Sequence, residues 1–283
     1  MPKLAKTKES NIDLDELKKI LVSNNLNREV EDTKLLVREA FEKVCLTYGA
    51  EWISSAIDKT SKKYNQLLEF EEHRIYGTAG FMHKLLRLAE FSDFLDAING
   101  HKSIIKKLKT NNETMGAFFE LIVATAFQRS GFSVGLNKKS GIKGQDYDLV
   151  VSKNDQELAV EVKSKSPAIK YGRHKLRTTI WKASQQLPAN KAGIIVVCIP
   201  AEWAEKKGVV KDFEAACTNV FRTNESLLAV VVIWHGYFGN RDLGFIVCEI
   251  YSVIANPSAR FTIENLTEVL DLMAKPGKWG RRD

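Results

Sequence analysis

Glu120, Asp148, Glu161 and Lys163 are the residues of this chain whose types and spacing could hold a metal ion and work on a water. Glu120 interrupts the apolar run Ala117-Phe118-Phe119 … Leu121-Ile122-Val123-Ala124. Asp148 stands just before Leu149-Val150-Val151, and Glu161 and Lys163 punctuate Leu158-Ala159-Val160-Glu161-Val162-Lys163. Side chains two apart on a strand share a face. Glu161 and Lys163 therefore project together, and Leu158, Val160 and Val162 face the other way. Magnesium prefers carboxylate oxygens and takes only one or two of them from a protein. A lysine beside it can neutralise a phosphate or help orient and deprotonate a water. Each residue also has an ordinary alternative. Glu120 could sit in a structural ion pair with Arg129 or a lysine elsewhere, and a Glu-Val-Lys triplet could be a solvated strand face. Asp146 competes with Asp148, which is preferred because it adjoins the strand, whereas Gly144-Gln145-Asp146 reads as the loop leading in.

The elements that must position these groups follow from hydrophobic periodicity. The first hundred or so residues read as helices: Leu14, Leu17, Ile20 and Leu21 recur at helical spacing, and further helices are expected over Arg28–Tyr48, Glu51–Phe70 and Phe81–Ile98. Gly77–Gly80 reads as a turn, and the lysine-rich His101–Asn112 as a domain boundary. The expected organisation is an all-helical domain over residues 1–110 and an α/β domain over 111–283. Thr114–Ser130 is expected to be a helix stopped by Gly131. Because Phe119 and Leu121 flank Glu120 directly, part of that helix is expected to face solvent or a cleft. Strands are expected at Phe132–Leu136, Tyr147–Val151 and Glu157–Lys163, the last two joined by a turn at Lys153-Asn154-Asp155-Gln156. A helix over Lys175–Leu187 and a fully apolar strand over Gly193–Ile199 follow. Ala201–Arg222 reads as helix broken near Gly208, Leu227–Trp234 and Gly244–Ile254 as strands, and Ile263–Met273 as a closing helix.

A helical Glu, an Asp at a strand start, and Glu-Val-Lys on the next strand resemble the PD-(D/E)xK nuclease superfamily, over about Thr114–Ile199. The proline of the family's name is replaced here by Tyr147. The resemblance implies a restriction-endonuclease-like α/β core, a central mixed sheet flanked by helices, behind the helical N-terminal domain. It implies that Asp148 and Glu161 hold Mg2+, with Mn2+ able to substitute, that Glu120 supports the metal shell, and that Lys163 assists the hydrolytic water. Gln185 or Gln186, on the helix after the Glu-Val-Lys strand, resembles a glutamine near the active site in some branches; Gln185 joins the candidate catalytic set. The implied activity is that of a DNA endonuclease of restriction, defence or repair type, and the resemblance admits a homodimer. The alternatives are a non-catalytic nucleic-acid-binding module on the same fold and a nuclease acting on RNA.

Composition agrees with a polyanionic partner. Across 283 residues, 42 Lys and Arg outnumber 35 Asp and Glu, giving a net charge of +7. Between Lys163 and Lys182 there is no acid, and Lys165, Lys170, Arg173, Lys175 and Arg177 are candidate nucleic-acid contacts, with Tyr171 and Trp181 placed for stacking. The basic segment Lys275–Arg282 is a further candidate for phosphate contact. The four cysteines form no CxxC pair and the five histidines show no metal-ligand spacing. Nucleotide-binding GxxxxGK[ST] and GxGxxG loops and the GxSxG hydrolase motif are absent. No apolar run approaches membrane-spanning length, so a soluble protein of the reducing cytoplasm, with no membrane partner, is expected.

Overall fold

β-Branched and aliphatic runs downstream of residue 130 prefer the pleated sheet, and the segments between them carry helical periodicity. The computed structural model describes residues 29–57, 77–110, 113–166, 169–240 and 244–261. It joins seven strands into one sheet whose spatial order follows the chain. They are β1 (Ile98–Asn99), β2 (Ser133–Leu136), β3 (Leu149–Lys153), β4 (Gln156–Ser164), β5 (Ala192–Cys198), β6 (Leu227–Asn240) and β7 (Gly244–Ala255). The pairs β1–β2, β4–β5 and β5–β6 are parallel and the other three antiparallel, so the sheet is mixed, as expected. The described helices are α1 (Glu29–Tyr48), α2 (Ala50–Ile57), α3 (Gly77–Phe94), α4 (His101–Leu108), α5 (Thr114–Arg129), α6 (Arg173–Ser184), α7 (Ala201–Ala204) and α8 (Val209–Phe221).

Helices cover both faces. Leu158, Val160, Val162, Ile194 and Val196 join a core shared with α1 to α5, while Ala159, Ile195 and Val197 pack against α6, α7 and α8. That two-sided cover is why every residue of β5 is apolar or glycine and buried. The β3–β4 hairpin turns through Asn154 and Asp155, at φ 49° and 60°. A two-residue hairpin with both central residues left-handed matches the twist of its strands, and Asn and Asp tolerate that region best after glycine.

Helix α5 lies between the sheet and the upstream helices, which corrects the expectation that part of it faces solvent or a cleft. Ala117 through Ala126 are all buried, Glu120 included. Phe118 meets Phe91 of α3 edge-on, ring centroids 5.4 Å apart. The helix ends as Gly131 implies: that residue adopts φ 79°, the Phe132 N–H donates to the Phe127 carbonyl, and the two phenyl rings pack at 5.3 Å.

Upstream of residue 110 the chain is not wholly helical, since Ile98–Asn99 forms the edge strand β1 beside β2. Gly77–Gly80 is the first turn of α3 and not a break; glycine costs least there, where few intrahelical bonds have yet formed. The lysine-rich stretch after Gly100 is α4, with Ile104 and Leu108 buried. The expected helices around Leu14–Leu21 and Ile263–Met273, the distal part of Glu51–Phe70, and the Lys275–Arg282 segment lie outside the described residues. Among the described residues no helix is long and apolar enough to cross a membrane.

Candidate active site

The β3–β4 ladder stops at Leu149↔Val160, and a carboxylate takes over where main-chain pairing ends. The Asp148 N–H still donates to the Val160 carbonyl at 3.1 Å. The next amide of β4, that of Val162, donates instead to Asp148 Oδ2 at 2.9 Å. On its other side the Asp148 carbonyl accepts from Asn137 N–H, 2.9 Å away. Strand β3 thus peels from β4 at this residue, and one oxygen of Asp148 is fixed between Glu161 and Lys163. The second oxygen, Oδ1, lies 3.3 Å from Lys139 Nζ.

Glu161 is fully buried. Lys163, partly exposed, forms an ion pair with its Oε1, and Oε2 is buried without a hydrogen-bond partner among the described residues. Burial, followed by the charge of Asp148, raises the Glu161 carboxyl to about 8, against the opposing pull of Lys163 and Lys139. A carboxylate carried out of water is stabilised only by compensating charge and hydrogen bonds. Glu161 has too little of either for its ionised form.

Glu120 approaches from α5. Both its oxygens accept from Lys107 of α4, at 2.9 and 3.1 Å. Its carboxyl is raised by burial and then by Asp148, with Lys107 and Lys139 acting the other way. The expected triad is therefore not assembled: among the described residues no three acidic, histidine or cysteine side chains group so as to hold a metal. Alternation explains it. Glu161 and Lys163 continue the face of Ala159, toward α6, whereas Glu120 comes from the α5 side. Asp148, at the divergence of the strands, is the acid whose charge both others feel.

The rival Asp146 shapes the loop. Its Oδ1 accepts from the Ser140 and Gly141 amides and from Ser140 Oγ, and those donors, led by the Ser140 amide, hold its carboxyl below the usual range. Gln185 closes α6. Its main-chain carbonyl accepts from Gly144 N–H, and Gln186 Nε2 donates weakly to the Asp146 carbonyl at 3.4 Å. Both glutamines dock the end of α6 on the loop before Asp148. Two cations beside the acids escaped the sequence reading, Lys107 and Lys139. Their contacts are tertiary, and neither lies in a motif.

The cationic stretch divides in two. Lys165 is half-buried and pushed down, first by burial and then by Lys163, Lys182 and Lys175, so three further cations act on it just past the end of β4. Lys170, Lys175 and Arg177 are exposed. Arg173, also exposed, pairs with Asp212 of α8 at 2.7 Å. Tyr171 also donates to Asp212 and packs edge-on against Trp203, so it is built into the fold and not open for stacking. Trp181 is 54% exposed on α6.

No curated protein and no solved structure matches the chain. A family model does: residues 112–198 match the one described as restriction endonuclease. That segment spans α5 to β5 and contains Glu120, Asp148, Glu161 and Lys163, so this part of the chain is a restriction-endonuclease-like domain of the PD-(D/E)xK nuclease superfamily.

Proposed function

We propose that the chain is a magnesium-dependent DNA endonuclease, of restriction, defence or repair type, cutting at Asp148, Glu161 and Lys163. The observation that carries this reading is the buried Glu161 carboxyl, whose Oε2 has no hydrogen-bond partner among the described residues, beside Asp148 and within reach of Lys163 and Lys139. The donor set fits a hard divalent ion: two carboxylates suffice for magnesium, with water and substrate phosphate filling the remaining positions. Once bound, the ion would lower the pKa of a water and offset charge developing on phosphorus. Asp148, pinned to the Val162 amide, and Glu161 would hold it, and the Lys107 clamp keeps Glu120 as a supporting charge behind Asp148. Lys163 would orient the attacking water and add positive charge where the transition state needs it. Lys165, Lys175 and Lys182 would track the phosphate backbone, which relieves their mutual repulsion.

The test incubates wild type, Asp148→Ala and Lys163→Ala with double-stranded DNA, single-stranded DNA and RNA, each with magnesium or manganese. Wild type should cut double-stranded DNA, and each variant should lose about a hundredfold or more in rate. Variants that cut as well as wild type would remove the site assignment. Binding that persists in EDTA, with no cleavage under either ion, would leave a binding module, and cleavage confined to RNA would change the substrate.

The divided basic stretch gives a separate expectation. Arg177→Ala and Lys175→Ala should each reduce the slope of log affinity against log salt by about one. Arg173→Ala, already engaged by Asp212, should change that slope by less than half as much. Filter binding in EDTA between low and moderate salt reads both.

A further inference from the structure

We propose that Lys139 is a built-in counter-ion of the Asp148–Glu161 pair, exchanged for a divalent cation when the site loads. The inference rests on the metal-dependent reading above and adds a residue that no motif of that reading contains.

Asp148 has two oxygens with different duties. Oδ2 is held by the Val162 amide and cannot turn away without freeing a buried main-chain donor. Oδ1 is the one left for a ligand, and Lys139 Nζ lies 3.3 Å from it. The same ammonium also interacts with Glu161 and Glu120, and it opposes the upward shift of both. It thus acts on all three acids. An ammonium carries one charge, and from this position it leaves Glu161 Oε2 buried without a hydrogen-bond partner among the described residues. A divalent ion carries two charges and coordinates oxygens directly, so it compensates the pair more completely.

The loop supports exchange by the side chain alone. Its backbone is fastened on both sides of Lys139: Asn137 Nδ2 donates to the Gln145 and Tyr147 carbonyls, and Asp146 gathers Ser140 and Gly141. The Lys139 side chain is 51% exposed. Its flexible stem can swing the ammonium into water and regain rotamer freedom as it leaves. The loop therefore stays in place while its cation changes position.

The experiment is calorimetric titration of MnCl2 into full-length protein without nucleic acid, comparing wild type, Lys139→Gln, Lys139→Arg and Asp148→Asn. Lys139→Gln should bind Mn2+ about tenfold more tightly than wild type. Lys139→Arg should stay near wild type, and Asp148→Asn should lose binding. Melting temperatures with and without Mn2+ give a second reading, with a larger manganese-induced rise in Lys139→Gln. If Lys139→Gln binds Mn2+ no more tightly than wild type while Asp148→Asn loses it, the counter-ion role is overturned and the metal reading stands. If wild type takes up no Mn2+, both fall together.

Discussion

Exchanging Glu161 for glutamine should abolish cleavage and, in the same molecule, make the metal-free protein harder to unfold at alkaline pH. The first effect follows from removing a carboxylate that would hold the ion. The second follows from proton linkage. The folded protein holds the Glu161 proton up to about pH 8, while the unfolded chain releases it at about 4.3. Between those values the folded state binds more protons, so its stability falls as pH rises, and the full penalty is present above the folded value. Glutamine does not titrate and escapes the penalty. In EDTA, wild type and Glu161→Gln should melt within about a degree of each other at pH 4.5, whereas at pH 8.5 the variant should be more stable by on the order of 2 kcal/mol, a gain of roughly 5 °C in Tm. Parallel melting curves at every pH would show that the buried carboxyl is already compensated in the fold.

The largest loss of stability is expected at Glu90, far from the proposed chemistry. Its buried carboxylate accepts from Arg87 Nη1 at 2.6 Å and from Arg129 Nη1 at 3.0 Å. The group binds the middle of α3 to the last turn of α5. Glu90→Leu would take one negative charge from between two positive ones in a region closed to water, at a cost of about 3–5 kcal/mol. Glu90→Gln, which keeps an acceptor of the same shape, should cost less than half of that. Urea midpoints of the two variants separate a charge effect from a packing effect. Equal losses would mean that the triad contributes shape and not charge.

How far the sequence discloses this molecule depends on the range of each interaction. Strands β3 and β4 and the hairpin between them follow from local alternation and an Asn-Asp turn, so the Glu-Val-Lys face and the approach of Asp148 could be read directly. The two-residue strand β1 could not, because Ile98–Asn99 is extended only by virtue of its neighbour β2. Apolarity all round α5 marked burial, and only Glu120 suggested an open side. The opening was unnecessary because Lys107, 13 residues upstream, donates to both oxygens of that carboxylate. Lys139 was hidden for a similar reason, since a lysine in the loop Asn137-Lys138-Lys139-Ser140-Gly141 looks like any solvated cation. The partner of Arg173 was hidden in the same way, since Asp212 comes from a helix some 40 residues downstream.

Helix α5 has one further consequence. A helix clad in aliphatic and aromatic groups on both flanks has no side suited to water, and the layer across from the sheet is supplied by α1, α3 and α4. The stretch sharing ancestry with restriction endonucleases begins only at residue 112. The borders of that inherited cassette and of the smallest piece able to stand by itself are therefore different. Phe91 and its companions are to this nuclease segment what an outer wall is to a room: they lie beyond its threshold and still keep it enclosed.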